Sequence, residues 1–485
     1  MRHGIGHRTS DIRHRASEML FHTWDFLVFF LIVFPVYFFL RRYNGPMNLW
    51  LLAASYVFYG WWNPYYLILI AATTTLDWWI GLRMGREGAR RKFWLVLTVL
   101  SNVGCLAFFK YAGFVTNNLN ALLGTSFANP AKDLMTGLGM AYLLPVGISF
   151  FTFQSMSYTI DVYRGKIPVE RSLLRFATFV SLFPQLVAGP IERASNLLPQ
   201  LHKAPRITRR HLTDGGSQFL VGLFKKVALA DYLALYVDKV YADPGSFQSG
   251  ALVLATVAFA WQIYFDFSGY TDMARGIGHA MGFRFMQNFD NPYVATGLGD
   301  FWSRWHISLS TWFKDYLYFP LGGNRNGKLA TYRNMLVTMI VSGVWHGAAW
   351  TFVIWGALHA AGRVLTRELE GTSVWRDRVP RLAKQVLVFA FVCFAWIFFR
   401  ARTLDDAWTV ATRMFTTGWG DPQFPLLMAV IVGAVWGYQL LYTSGVRMKA
   451  LLETAPVRVG LAAAMIVYLS VFAQPSLKAF IYFDF

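Results

Sequence analysis

The chain has 485 residues, of which 55% are hydrophobic, 18% aromatic and only 15% charged. Soluble domains carry about 25% charged residues, so this composition and a mean hydropathy of +0.37 exclude an ordinary soluble enzyme and predict a membrane protein with several spans. The formal net charge of +19 would suit nucleic acid, but the Lys and Arg residues lie between apolar runs, as in topology-setting loops, so no nucleic-acid partner is expected.

The first 18 residues form a basic and polar lead ahead of the first apolar run. No small-residue cleavage site follows that run, which is succeeded by Arg41 and Arg42, so a cleaved signal peptide is not expected. Either translation starts at Met19, or residues 1–18 are a cytosolic arm. Residues 19–485 are expected to form one membrane domain.

The apolar runs predict the membrane helices, because a helix needs about 20 apolar residues to cross the hydrocarbon core. The runs cover residues 26–40, 43–62, 64–76, 93–109, 134–160, 176–191, 245–265, 335–362, 385–399, 422–446 and 459–477. A weaker run, 219–237, is interrupted by Lys225, Lys226 and Asp231. The sequence therefore predicts an all-α, polytopic helix bundle with about ten to twelve membrane helices.

Basic loops set the expected orientation, because Lys-rich and Arg-rich loops stay on the cytoplasmic side. Arg41 and the stretch 83–92 are expected inside, and the neutral loop 115–131 outside. The basic stretch 363–384 conflicts with this alternation, since counting the spans would place it outside. At least one further segment is therefore expected to be re-entrant.

Two segments are too short or too polar to span the membrane. Run 176–191 carries Pro184, Gly189 and Pro190, and segment 268–332 is polar but rich in Trp, Tyr and Phe. Irregular backbone at membrane depth is tolerated where it is buried in protein or lines a wet cavity. We therefore expect re-entrant or interfacial segments there, with an interfacial loop without chemistry as the alternative for the second.

His346 lies inside an otherwise uncharged run, where an ionisable side chain is costly and usually functional. In one continuous helix, Ser342, His346 and Trp350 would form one stripe. Gly343 and Gly347 would form a second stripe beside it, with the spacing that lets a neighbouring helix come close. We therefore expect His346 at a tight helix–helix contact, facing protein.

Two further histidines need an interpretation. His359 is thirteen residues beyond His346, so it cannot share its helix face, and it is expected at the interface near Arg363. His306 follows Trp305, just as His346 follows Trp345. A neutral imidazole, with an ordinary pKa of about 6.5, can take a proton from a hydroxyl and return it to a leaving group.

Other chemistries fit less well. The sequence has no G-x-S-x-G elbow, no H-E-x-x-H, no Walker A loop and no paired-cysteine metal site, so no metal is expected. A proton-coupled transporter with His346 as its relay is the alternative from a different class of protein, although the two repeated halves typical of transporters are not visible.

Several long blocks resemble the signatures of the membrane-bound O-acyltransferase family. They are PVGISFFTFQSMSYTIDVYRG, FPQLVAGPIER, QIYFDFSGYTDMARGIGHAMGF, NFDNPY, FWSRWHISLSTWFKDYLYFPLGGNR and VSGVWHGAAWTFVIWGALHA. They occur in the family's order over residues 145–360. The chain is most similar to the bacterial branch that acetylates alginate or peptidoglycan or D-alanylates teichoic acid.

The resemblance implies an arched helix bundle around a central tunnel in a bacterial inner membrane. His346 matches the family's signature histidine, expected near mid-membrane, and His306 matches the second family histidine. The resemblance also implies an acyl thioester donor from the cytosol, typically acetyl-CoA. The acceptor is a hydroxyl on the far side, often on a periplasmic SGNH-type partner that completes transfer to a polysaccharide. D-alanyl transfer and a lipid acceptor stay open as alternatives.

We expect His346 to act as general base and His306 to position or polarise a reactant. Further residues of the matching blocks are expected to contact substrate, although capping and ion pairing explain the polar ones equally well: Trp345, Trp305, Arg304, Asp315, Asp266, Asn291 and Asn324. Lys314 and Arg325 could attract the phosphates of coenzyme A, with ordinary positive-inside charge as the alternative.

Overall fold

The fold was analysed in a computed structural model of the chain. It describes residues 19–138, 142, 144–187, 189–203, 205–445, 450–451, 453–471 and 480–481. The lead 1–18 lies outside the described residues. Helix makes up 77% of the described residues, and no strand occurs among them. The prediction of an all-α membrane protein is therefore confirmed.

The first half of the chain contains helices of very different lengths. They are α1 Trp24–Leu40, α2 Asn44–Gly60, α3 Tyr66–Met84, α4 Arg91–Leu106, α5 Ala112–Leu123, α6 Pro130–Gly137, α7 Ile148–Tyr163, α8 Leu173–Ser181, α9 Phe183–Leu186, α10 Ala194–Leu201 and α11 Arg209–Phe224. A π-helical turn, Ala107–Tyr111, joins α4 to α5 without a break.

The second half contains the histidines singled out above. Its helices are α12 Asp231–Ala242, α13 Ser249–Ala280, α14 Leu298–Arg304, α15 Ile307–Phe313, α16 Gly327–His346, α17 Trp350–Glu370, α18 Arg381–Arg400, α19 Leu404–Thr416, α20 Leu426–Ser444 and α21 Ala455–Val471. π-Helical turns follow α11, α15 and α17.

Contacts divide the chain into two compact units. The first comprises residues 1–219 and 274–286, and the second comprises residues 220–273 and 287–485. Both histidines of the predicted pair belong to the second unit. That residues 19–485 act as a single membrane domain stays a prediction.

Five described helices are long and apolar enough to cross a membrane, judged by length and composition. They are Tyr66–Met84, Arg91–Leu123, Ser249–Ala280, Arg381–Arg400 and Leu426–Thr443, and the shorter Trp24–Leu40 and Ala455–Val471 are also apolar. The total of ten to twelve membrane helices stays a prediction.

Asp77 forms a buried polar contact between three helices of the first unit. Its carboxylate on α3 accepts hydrogen bonds from Thr98 (2.6 Å) and Asn102 (2.8 Å) on α4 and from Ser155 on α7. Polar side chains between apolar helices bond to one another because lipid offers them no partner. This contact therefore fixes the three helices against each other.

The apolar run 335–362 is not one span, as the sequence predicted, but two antiparallel helices, α16 and α17. The chain turns through extended backbone at Gly347 and Ala349. A Cβ at Gly356 would lie 3.0 Å from the Cα of Ile340, and a side chain at Gly347 would overlap the ring of Phe352. Glycine at these positions allows the two helices to pack backbone against backbone.

This hairpin explains the basic stretch that conflicted with the predicted topology. Lys328 and Tyr332, near the start of α16, both contact Glu368, near the end of α17. A hairpin returns to the end at which it began, so the stretch 363–384 lies at the same end as Lys328. No additional re-entrant segment is needed to explain its charge.

Two other segments differ from the predicted runs, and a third agrees with its prediction. Helix α13 continues to residue 280, fifteen residues beyond the predicted run, so segment 268–332 begins as helix and not as loop. Helix α5 occupies much of the predicted loop 115–131. Run 176–191 contains only a nine-residue and a four-residue helix, as expected of a segment that does not span. Its re-entry stays a prediction.

Lys226 is the centre of a buried ion cluster in the second unit. Its ammonium lies 2.9 Å from Asp231 and 2.7 Å from Asp266, and all three side chains are less than a tenth exposed. The backbone N–H of Ile481 donates to the other Asp266 oxygen at 2.7 Å. Two carboxylates share one ammonium, and this N–H offsets part of the excess negative charge.

We expect Lys226→Met to lower the free energy of unfolding by about 3–5 kcal/mol, because it leaves two buried carboxylates without their cation. Lys225→Met is the matched control, since the neighbouring Lys225–Asp272 pair is partly exposed and such pairs contribute at most about 1 kcal/mol. Thermal unfolding of both variants in detergent tests this, and equal losses would contradict it.

Candidate active site

His346 is the last residue of α16 and lies at the tip of the hairpin. Its imidazole is 3% exposed. It packs edge-to-face on Trp345 (ring centroids 4.9 Å apart), on Trp355 (5.2 Å) and on Phe399 (5.2 Å). The expected protein-facing position of His346 is what the structure shows. Trp350, predicted to share its stripe, instead begins α17 and is half exposed.

His306 is held by unusual backbone at the start of α15. Its φ is +43°, in the left-handed region that non-glycine residues rarely adopt. Asn288 fixes this turn by accepting from the N–H of Ile307 (2.9 Å) and from the hydroxyl of Ser308 (2.6 Å). Burial lowers the pKa of the His306 imidazole well below its usual range, so the ring is neutral at physiological pH.

The ring of Trp345 lies close to both histidines of the predicted pair. Its ring centroid is 6.2 Å from that of His306 and 4.9 Å from that of His346. The short segment 305–313 and the tip of the hairpin, far apart in the sequence, therefore meet at one tryptophan. The three side chains are close together in the structure. That they form one functional site stays a prediction.

Three of the other predicted site residues have roles within the fold. Trp305 is buried and packs on Trp396, with ring centroids 5.1 Å apart. Arg304 forms an ion pair with Asp300, 2.6 Å away and four residues earlier on the same helix. Asp266 belongs to the Lys226 cluster described above. Ion pairing, the alternative explanation given for these polar residues, accounts for the contacts of Arg304 and Asp266.

The remaining three lie outside the contact between the histidines. Asn291 has a φ of +45° and precedes a short 3-10 turn, a backbone conformation that Asn tolerates better than most residues. Asn324 is exposed in the turn before α16, and Asp315 is half buried in the π-helical turn after α15. None of the three lines the cavity described next.

A cavity of about 410 Å³ lies within the second unit beside the hairpin. Its lining includes three basic residues, Lys314, Arg363 and Arg367. Ser342 also lines it, one helical turn before His346, but His346 itself does not. That His346 borders the tunnel implied by the family resemblance stays a prediction, and the cavity comes within one helical turn of it, about 5.4 Å along the helix. Arg325, the other predicted phosphate contact, is not part of this lining.

Sequence reasoning missed the basic and aromatic stripe of α17. Trp355, His359, Arg363 and Arg367 recur every four residues, so they share one helix face. The spacing is visible in the sequence, but it was hidden by the assumption of a single span ending at residue 362. Two of the four line the cavity and Trp355 contacts His346, so this stripe links the cavity to the histidine.

His359 is fully buried within the protein, and its expected depth at the membrane interface stays a prediction. Its ring lies 4.8 Å from that of Trp355 and 5.1 Å from that of Trp302, which lines the cavity. Neither ring nitrogen has a hydrogen-bond partner among the described residues. Trp355, one turn before His359 on α17, also contacts His346, because the chain reverses after His346.

The sequence and the site define a membrane-bound acyltransferase. The sequence pattern of MBOAT, the membrane-bound O-acyltransferase family, matches residues 166–404, which contain both histidines of the pair. The chain belongs to this family, so the predicted family and the predicted O-acyltransferase activity are confirmed.

The chain is similar to curated members of the family over most of its length. It is 42% identical to the probable alginate O-acetylase AlgI of Azotobacter vinelandii, over 87% of this chain and 86% of that protein. It is also 42% identical to the protein of that name from Pseudomonas aeruginosa, over 89% of this chain and 84% of that protein. The peptidoglycan O-acetyltransferase of Helicobacter pylori is 35% identical, over 82% of this chain and 80% of that protein.

We expect His359→Phe not to lower the unfolding temperature. A buried polar group without a partner costs about 1–3 kcal/mol, and phenylalanine fills similar space without that cost. His359→Ala is the contrasting variant, because the cavity it opens is expected to destabilise the protein by several kcal/mol. Thermal unfolding in detergent compares the two. A marked loss in His359→Phe would instead show that the imidazole has a polar partner.

Proposed function

We propose that the protein transfers acetyl groups from a cytosolic thioester to a hydroxyl of an extracytoplasmic polysaccharide or of a partner protein that serves it. The observation that carries this proposal is the 42% identity to alginate O-acetylases over most of both chains. The site supports it with two buried histidines at one tryptophan, next to a cavity whose lining includes three basic residues.

The cavity is suited to the donor. Acetyl-CoA carries several phosphate charges, and Lys314, Arg363 and Arg367 supply positive charge along the wall. Arg363 and Arg367 belong to the same end of the hairpin as Lys328, which the positive-inside rule assigns to the cytoplasm. A donor bound there directs its thioester past Ser342 towards His346.

The chemistry assigns the proton steps to His346. A neutral ring nitrogen takes the proton of the acceptor hydroxyl while that oxygen attacks the thioester carbonyl carbon. The carbon–sulfur bond then breaks, the ester forms, and the imidazolium returns the proton to the leaving thiolate. His306, kept neutral by burial, lies next to Trp345 and positions that ring and the reactants.

The acceptor is expected to arrive from the opposite end. The tip of the hairpin, where His346 lies, is separated from the basic end by the length of α16, about 30 Å for its 20 residues. In this proposal the membrane is the bacterial inner membrane, and a periplasmic SGNH-type protein carries the acetyl group on to the polysaccharide.

We expect His346→Gln to lower acetyl transfer by about 10²–10⁴-fold, because general base catalysis contributes that much. The measurement uses inner-membrane vesicles with radiolabelled acetyl-CoA and follows label into a saccharide or protein fraction. His279→Gln is the matched control, since His279 belongs to the first unit and both histidines of the pair belong to the second. Near-normal transfer by His346→Gln, at equal protein in the membrane, would contradict the assignment.

A further inference from the structure

Helix α19 is amphipathic in an unusual way, with three distinct faces. Its inner face, Ala407, Val410 and Met414, is buried against the second unit. Trp408 and Phe415 lie seven residues apart, which places them within about 20° of each other on the helix. Their side chains are 68% and 72% exposed. The third face is polar, and is formed by Asp405, Thr409, Thr412 and Thr416.

The chain keeps α19 close to the ends of two candidate membrane spans. Helix α18 ends at Arg400, and α19 begins at Leu404. Four residue steps reach at most about 14 Å. The next candidate span begins at Leu426, only ten residues after α19 ends, and Leu426 itself is 79% exposed. Helix α19 therefore cannot lie far from the surface at which both spans end.

Hydrogen bonds hold α19 in one orientation. Ser249, the first residue of α13, donates to the carbonyl of Arg413 at 2.9 Å, and the Arg413 guanidinium donates to the carbonyl of Phe247 at 3.2 Å. Just beyond the helix, the N–H of Gly420 donates to Gln248 at 3.0 Å. The helix cannot rotate to bury Trp408 and Phe415 without breaking these contacts.

We propose that α19 lies in the plane of the membrane–water interface and inserts Trp408 and Phe415 into the lipid at the headgroup boundary. Aromatic side chains gain free energy by leaving water, and Trp is enriched at this depth. The polar face then points to water and the inner face to the protein. This surface goes beyond the proposed function and does not depend on it.

Lipid is a better occupant of this surface than a second protein. The two aromatic side chains offer about 300–500 Å² together, whereas a stable protein interface needs about 800 Å² on each side. Both neighbouring elements in the chain are candidate membrane spans, so lipid is already present at the level of α19.

A spin-label scan of α19 in lipid vesicles tests this proposal. Cys105 and Cys393 are first replaced by alanine, and single cysteines are then labelled with a nitroxide along residues 404–416. Collision with oxygen reports lipid, and collision with a water-soluble nickel chelate reports solvent. Labels at the exposed position Leu387 of α18, in lipid, and at Asp421, in water, calibrate the two limits.

The expected pattern has three parts. Labels at 408 and 415 collide freely with oxygen. Their collision rate with the nickel chelate is at least several-fold lower than that of labels at 405 and 412. Labels at 407, 410 and 414 collide with neither reagent. If labels at 408 and 415 were as accessible to the nickel chelate as labels at 405 and 412, the aromatic face would lie in water and the proposal would be overturned. Exclusion of both reagents at 408 and 415 would mean that protein covers them, and would overturn it as well.

Discussion

The close contact between α16 and α17 is the constraint on which the site depends. Gly343, Gly347 and Gly356 bring the two backbones together, and larger residues at these positions would overlap Phe352 or the chain of α16. Because the contact starts directly after His346, the histidine is held at the turn of a hairpin and not in the middle of a long helix. Its neighbours on α17 are therefore fixed by the same contact.

The hairpin gives its two ends different chemical properties. One end carries Lys328, Arg363 and Arg367 and borders the cavity, and the other carries His346 among aromatic rings. In the proposed function, a charged donor and a neutral acceptor hydroxyl approach His346 from these opposite ends. Helix α19 belongs to the second end, where its exposed aromatic face adds a contact with lipid.

Features that depend on local sequence were predicted better than contacts between residues far apart in the sequence. The four-residue spacing of Gly343 and Gly347 predicted a close helix contact; the contact is present, but Gly347 lies in the extended turn after α16 and not on the helix face. Hydropathy could not distinguish one span from a hairpin, because an apolar run has the same average whether or not the chain reverses. The partner of Asp266 is Lys226, forty residues earlier, and nothing in the local sequence reveals such a pair. Arg363 and Arg367 could have been found from their spacing with His359 once the reversal was recognised.

A distance between two spin labels tests the hairpin most directly. Leu329 on α16 and Leu365 on α17 are exposed, so nitroxides there should leave the fold intact. The antiparallel pair, with axes about 8–10 Å apart, predicts a label separation of about 20 Å or less by double electron–electron resonance. A continuous helix through these residues would separate them by about 54 Å, from 36 residues at about 1.5 Å each. The short distance is the result expected here, and a distance near 50 Å would contradict the position of His346 at the tip of a hairpin.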